Sequence, residues 1–345
     1  MTSSKADYDV IVIGAGIEGS ASAYTLSKTG RSVLLLDQFP LPHSRGSSHG
    51  QSRITRYAYE DGFYVRMMVD AFPLWTQLEQ ESGSQLFINC GVLDLRTENS
   101  PGMKRVLEAL TAHNVRYETL SPEQLQQRYP AVRAGDKSAA IFDPSGGILR
   151  ADKALQAFQQ VFLRHGGVIR DNETVTSVTP GSDVTVNTNR GQYTAHSVVI
   201  ATGAWASRLC SSLGLQLPLK PIRIGVYYCK ANEHQFSSHQ FPCFIDCRGV
   251  TEGFLVYGLP MSEYPGLVKV CSYQGPDINP DERDRETDDT WVDKAVPQIA
   301  ASLLPGLDGT PSIKEYCIYT NTPDGHPVID RHPQYPNIVI AAGFS

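Results

Sequence analysis

Residues 9–37, DVIVIGAGIEGSASAYTLSKTGRSVLLLD, constrain this chain more than any other stretch. Asp9 to Ile13 is a short apolar run closed by Gly14, the pattern of a strand buried on both faces. Ile17, Ala21 and Tyr24 then recur at helical spacing, and Gly30 stands where a helix C-cap belongs. Val33 to Leu36 is a second apolar run, ending in Asp37. The stretch is a complete βαβ unit with Gly14, Gly16 and Gly19 as GxGxxG at its first turn. The first glycine permits the tight turn, the second lets the backbone approach a pyrophosphate, and the third lets the helix pack against the strand. Free N–H groups at the helix N-terminus favour phosphate there. Asp37 is placed to accept hydrogen bonds from a ribose diol. Its charge disfavours a 2′-phosphorylated dinucleotide, because two anions would meet.

The rest of the chain predicts that this α/β unit is left and re-entered. ADKALQAFQQVFLRHGG puts Leu155, Phe158 and Phe162 on one helical face, with a strand over Val168 to Arg170. TVTSVT and DVTVNT alternate like antiparallel strands about a turn at Pro180 and Gly181. SVVIATGAW reads as a buried strand ending in a glycine turn. Residues 85–143 and 220–317 instead carry short alternating runs, and TWVDKAVPQIAASLL reads as a helix after a polar loop. The expected organisation is a discontinuous nucleotide domain (1–84, 144–219 and 318–345) with a mixed-sheet substrate domain (85–143 and 220–317) inserted.

A net charge of −6 argues against nucleic acid as the main partner. No apolar run approaches the roughly 20 residues of a membrane helix, and MTSSKADYD lacks the apolar stretch of a secretory signal. Seven cysteines at scattered spacing do not read as a disulfide framework, and no zinc spacing is present. A reducing, cytoplasm-like compartment is the composition-based expectation.

One segment poses an electrostatic question. HSRGSSHGQSRITRYAY (His43 to Tyr59) carries two histidines and three arginines, yet no carboxylate stands between Asp37 and Glu60. Burying an unpaired charge costs several kcal/mol. These arginines therefore reach water or face an anion that the chain does not supply.

That segment, the segment CIYTNTPDGHPVIDRHP, the hhhATGAW strand and the ending NIVIAAGFS resemble the sarcosine oxidase and L-pipecolate oxidase family, of the D-amino acid oxidase group. The resemblance runs from Asp9 to Ser345. It implies a Rossmann-like FAD-binding domain with an inserted mixed β-sheet and helix domain. It implies FAD-dependent oxidation of a small secondary amino acid (sarcosine, L-pipecolate or L-proline), with oxygen reduced to hydrogen peroxide, in a monomeric peroxisomal enzyme. By the same resemblance Arg56 and Tyr319 bind the substrate carboxylate, and His49 and Arg53 lie against the flavin with Ser52 hydrogen-bonding near it. Tyr257 lines the substrate pocket, Lys269 promotes reaction with oxygen, and Cys317 carries the flavin covalently. A thiolate is the reactive species, and nearby positive charge favours it.

Two departures from the family pattern stand out. Tyr273 occupies a position where relatives often carry histidine, four residues after the lysine. The family also continues past GFS with a glycine-rich turn, a second carboxylate-binding lysine and a long helix, whereas this sequence stops at Ser345. The expectation is a fragment or a truncated form, without a peroxisomal tripeptide. The rival readings are a flavin dehydrogenase of the dimethylglycine type and a catalytically deficient truncated chain.

Overall fold

The βαβ unit forms as strand β1 (Tyr8–Ile13), helix α1 (Ile17–Ser27) and strand β2 (Val33–Leu36). β1 and β2 pair in parallel, Ile11 opposite Leu34, and their apolar runs lie in the core. The computed structural model describes residues 6–133, 135, 137–248, 255–285 and 287–344. The final residue of the NIVIAAGFS motif, Ser345, lies outside them.

Around β1 a mostly parallel sheet is assembled from distant segments. Val168–Arg170 pairs with β2, and Gln192–Ile200 pairs with β1. One edge of Gln192–Ile200 is shared. Residues 192–195 pair antiparallel with Val184–Thr188, while residues 198–200 pair in parallel with Ile338–Ala342. The Val175–Thr179 and Val184–Thr188 hairpin turns at Pro180 and Gly181, as the alternation predicts. The sheet is thus a Rossmann-like α/β layer.

The buried faces of its helices differ from the spacing-based expectation. α1 buries Gly19, Ser20, Ala23, Tyr24 and Ser27 rather than Ile17 and Ala21. The helix Ala151–Arg164 buries Ala154, Ala157, Val161 and Phe162, and Leu155 turns to a cavity instead. The two helices pack on each other, and close approach selects small residues at the contact. Gln159 reaches across to donate to Ala15 O (3.1 Å), and Tyr24 meets Phe158 edge-on. A pattern scored on large apolar residues misses such a face.

The second sheet is mixed, in the order Leu307–Asn321, Lys220–Ala231, Leu267–Ser272, Val256–Leu259, Cys243–Asp246, Val92–Thr97, Ser138–Asp143, Glu118–Leu120. The helix Thr290–Leu303 covers one face with Val292, Val296, Ala300 and Leu303. Its other face turns toward the nucleotide layer. Leu307–Asn321 runs unbroken to Asn321, across the expected domain boundary at residue 318. A three-stranded sheet (Arg53–Thr55, Gly147–Leu149, Phe87–Asn89) stands between the layers. Among the described residues no helix is long and apolar enough to cross a membrane.

Candidate active site

The first glycine turn opens onto a cavity of about 600 Å³, within the size range of cofactor pockets. Gly14 has φ +101°, and a Cβ there would stand 2.4 Å from Ala201 O. A Cβ on Gly19 would lie 1.8 Å from Gly14 O. These two glycines let strand, helix and the Ala201 turn meet. Gly16 differs, because a Cβ there would first meet Ser48 Oγ at 3.0 Å; it lines the cavity.

Asp37 is buried at the cavity wall. Its Oδ2 accepts from the Ala15 N–H (2.8 Å) and its Oδ1 from the Phe39 N–H (2.9 Å). The carboxylate thus fixes the glycine turn, its Oδ1 also lies 3.3 Å from His43 Nε2, and it keeps lone-pair capacity for a ligand hydroxyl. Thr202 and Thr320 also line the cavity, and each Oγ1 is buried without a hydrogen-bond partner among the described residues. Buried hydroxyls rarely stay unpaired. A glycine cradle, a wall carboxylate and two orphaned hydroxyls fit FAD.

His49 and Gly50 line this cavity and also a second, inner one of about 40 Å³. The inner cavity lies on one face of the mixed sheet, because side chains two apart along a strand share a face. Glu315, Cys317 and Tyr319 come from Leu307–Asn321, and Ile224 and Val226 from Lys220–Ala231. Lys269 and Cys271 come from Leu267–Ser272, and Tyr257 from Val256–Leu259. Cross-strand pairs fix the register: Ile224 opposite Cys317, Val226 opposite Cys271, Tyr228 opposite Lys269. His49, Ser52 and Arg53 close the cavity from the arginine segment. Seven of the residues singled out from sequence therefore meet here: His49, Ser52, Arg53, Tyr257, Lys269, Cys317 and Tyr319.

The cations meet different partners. Lys269 Nζ donates to Glu263 Oε1 (2.8 Å), Ser52 O (3.2 Å) and Ser52 Oγ (3.2 Å). Arg53 donates to the carbonyls of Ser47, His49 and Ser52, each at 2.8 Å, and its Nη2 lies 3.8 Å from Cys317 Sγ. Arg45, the third arginine of the segment, pairs with Asp284. Arg56 does not line the inner cavity. Its Nε donates to Ala58 O (3.0 Å) and its guanidinium stacks over Tyr59 at 4.3 Å. Among the described residues neither Arg53 nor Arg56 is ion-paired.

His49 meets three partners. Its Nδ1 lies 2.7 Å from Gly46 O, and its Nε2 lies 3.0 Å from Tyr316 O and 3.3 Å from Arg283 Nη2. Burial, then the Arg283 charge, push its pKa down to about 4. The fixed positive charge beside the ring is the buried Arg283, whose Nη2 also donates to Tyr316 O (2.7 Å).

Tyr257 and Tyr319 join hydroxyl to hydroxyl at 2.6 Å, and burial pushes both phenols up. Tyr273 packs its ring 5.0 Å from Tyr257 and 5.9 Å from Tyr319. Arg56 is among the charges acting on Tyr273, after burial, so Tyr273 links the arginine to the tyrosine pair.

Sequence reasoning missed Glu263, Arg283, Glu315 and Tyr228. Glu315 was within reach, since it shares strand parity with Cys317 and Tyr319. Tyr228 follows from parity with Ile224 once its strand is placed. Glu263 and Arg283 come from loops, where no periodicity marks an inward side chain.

Residues 9–345 match the FAD dependent oxidoreductase (DAO) family model. The chain is 46% identical to peroxisomal sarcosine oxidase of Mus musculus over 344 residues, covering 98% of this chain and 87% of the relative. It is 36% identical to monomeric sarcosine oxidase of Bacillus sp. (strain NS-129), with 98% and 88% covered. In fold it is similar to a Tyr258Phe mutant of NikD, an unusual amino acid oxidase essential for nikkomycin biosynthesis. That match has TM-score 0.85 and 22% identity, over 98% of this chain and 89% of the other.

Proposed function

The chain belongs to the FAD-dependent oxidoreductase family, and from that premise we propose a complete reaction for it. It is an FAD-dependent amine oxidase that converts a small secondary amino acid to an imine, as its sarcosine oxidase relatives imply. Sarcosine, L-pipecolate and L-proline are the substrates to test, and oxygen leaves as hydrogen peroxide. FAD, when bound, supplies the two-electron acceptor.

The single observation that carries this reading is the convergence of Lys269, Arg53, Cys317, Tyr257 and Tyr319 on an inner cavity that adjoins the glycine-turn cavity at His49 and Gly50. Gly14, Gly16, Gly19 and Asp37 hold the dinucleotide end, with Ser52, His49 and Arg53 toward the ring end. Cys317 Sγ is the attachment atom, and Arg53 Nη2 stands 3.8 Å from it. Arg56, which neighbours Tyr273, carries the planar fork suited to a substrate carboxylate. Tyr257, Tyr319 and Tyr273 form an aromatic wall beside it, which excludes water and orients the amine. Lys269 holds a fixed cation where oxygen acquires negative charge. The names of the relatives support a monomeric, peroxisomal protein.

The rival dehydrogenase reading has one observation in its favour: Glu263 offsets the Lys269 charge at 2.8 Å. The test is peroxide release from each of the three substrates by the holoenzyme. The account expects peroxide from at least one. Substrate-driven bleaching of the flavin without peroxide favours the dehydrogenase, and no reaction with any of the three removes the assignment.

A further inference from the structure

A hydrogen-bonded chain leaves Lys269 on the side away from Ser52. Glu263 Oε1 accepts from Lys269, and Glu263 Oε2 accepts from Tyr228 OH at 2.7 Å. The same Tyr228 hydroxyl lies 3.2 Å from Glu315 Oε2, and Glu315 Oε1 accepts from Tyr264 OH at 2.7 Å. The chain begins at a buried ammonium and ends at two half-buried side chains, Tyr264 standing beside the exposed Ser262 and Pro265.

Counting protons shows what the arrangement does. A phenol has one hydrogen to donate, yet Tyr228 OH faces two carboxylates. If its hydrogen goes to Glu263, the contact with Glu315 is empty until a proton arrives on Glu315 Oε2. That proton completes the chain, with Glu315 donating to Tyr228 and Tyr228 to Glu263. A network that needs one proton from outside to fill its contacts is built to take one up.

We propose that Glu315, Tyr228 and Glu263 form a proton relay that recharges Lys269 as oxygen is reduced. The inference rests on the reading of Lys269 as the oxygen-facing cation. The balance is as follows. Amine and oxygen give imine and hydrogen peroxide, so two electrons and two protons leave the C–N unit and two of each reach oxygen. The proton shed by the amine nitrogen and the one that completes the peroxide travel separately. Lys269 breaks an N–H bond to give that second proton, and an O–H bond forms on the peroxide. Glu263 is ionised and has no proton of its own to give, so the transfer runs inward: solvent gives a proton to Glu315, Glu315 gives one to Tyr228 as Tyr228 passes its own to Glu263, and Glu263 passes it to the neutral Lys269 amine. Glu263 thereby has a role that simple charge cancellation does not give it.

Other titratable groups facing these residues are few. Cys271 and Cys243 face Lys269, and burial pushes both thiols up, Cys271 to about 11. The Lys269 ammonium also lies 5.8 Å from the Tyr228 ring. Its bond to Glu315, then burial, push Tyr264 up to about 12. Burial opposes ionisation of Glu263, but Lys269 and the bonds from Ser52 and Tyr228 outweigh it and hold the carboxyl below its ordinary range. Burial, then the Glu263 charge, push the Tyr228 phenol up as well, so it passes its proton to Glu263 only as it receives one from Glu315.

The test uses the holoenzyme and two conservative variants, Glu315→Gln and Tyr228→Phe. The enzyme is reduced anaerobically and mixed with oxygen across a range of pH. Reoxidation in both variants is expected to be roughly tenfold slower or more above neutral pH. The rate should recover as pH falls and solvent protons substitute for the relay. A second readout is spectroscopic. Infrared difference spectra recorded while oxygen reoxidises the reduced enzyme should contain a transient, deuterium-sensitive carboxylic-acid carbonyl band that Glu315→Gln removes. Wild-type reoxidation in both variants at every pH, or wild-type spectra without that band, overturns the relay. Lys269→Met separates the two ideas. If it alone is slow, the relay fails and the oxygen role stands; if it too keeps the wild-type rate, the oxygen role itself is wrong.

Discussion

The outer and inner cavities are built by opposite means. The outer one is shaped by backbone. Gly14 and Gly19 tolerate no side chain because a carbonyl oxygen occupies the place of the Cβ, and each Asp37 oxygen accepts from one backbone N–H. The inner one is shaped by side chains, and its charges are set against one another: Lys269 against Glu263, and Arg53 against carbonyls. A backbone site binds any ligand of the right shape and polarity. A site of opposed charges is tuned, and single substitutions there change chemistry before they change fold.

Four predictions sharpen or break that contrast. The largest effect belongs to Lys269→Met, which should slow reoxidation by oxygen roughly 10²–10³-fold, as loss of a preorganised charge does. It also strands Glu263, at a cost of about 3–5 kcal/mol. The double variant Lys269→Met with Glu263→Gln should regain melting temperature without regaining oxygen reactivity. Equal recovery of both would mean that the pair is only structural.

Gly19→Ala comes next. It should destabilise the fold by about 3 kcal/mol or more and abolish flavin retention, read by thermal melting and visible absorbance. Gly16→Ala should keep the fold and weaken only FAD binding. If the two variants behave alike, the division of labour among the glycines is wrong.

Arg56→Ala should raise KM about tenfold to a hundredfold, the equivalent of one charge-assisted contact of about 1.5–3 kcal/mol. Flavin content should stay intact, since Arg56 lies outside both cavities. Flavin loss in this variant would contradict that placement.

The smallest effect concerns pH. His49 titrates near 4 when folded, against 6.5 in its ordinary state. At pH above 6.5 both folded and unfolded chains hold it neutral, so it contributes nothing to the slope. As pH falls from 6.5 toward 4, only the unfolded chain takes up the proton, and stability declines by about 2–3 kcal/mol. His49→Asn should flatten that part of the melting-temperature profile. An unchanged slope would show that the folded chain does not hold the ring neutral in that range.

The same contrast explains what could be read from sequence. The βαβ unit was legible because its signals are local: two apolar runs, three glycines and a terminal acid within 29 residues. The antiparallel hairpin about Pro180 was legible for the same reason. The helix faces were not, because α1 and its partner helix meet through Ala23, Ala154 and Ala157, which a pattern of large apolar residues ignores. The inner cavity was readable only by resemblance. Its residues lie between positions 49 and 319, and their meeting depends on strand order. The acid that faces Lys269 comes from a loop, and the cation beside His49 comes from the polar loop before the helix Thr290–Leu303. The arginine segment's missing anion has a divided answer: Arg45 finds one that the chain itself supplies, Asp284, while among the described residues Arg53 and Arg56 form no ion pair.

The account stands or falls on FAD spanning both cavities, with its ring end at Cys317. Intact mass of the denatured holoprotein, followed by peptide mapping, measures this directly. The account predicts a mass increased by one FAD, located on the peptide that contains Cys317, and an unmodified mass for Cys317→Ser. An unmodified wild-type chain, with all flavin released on denaturation, would contradict it.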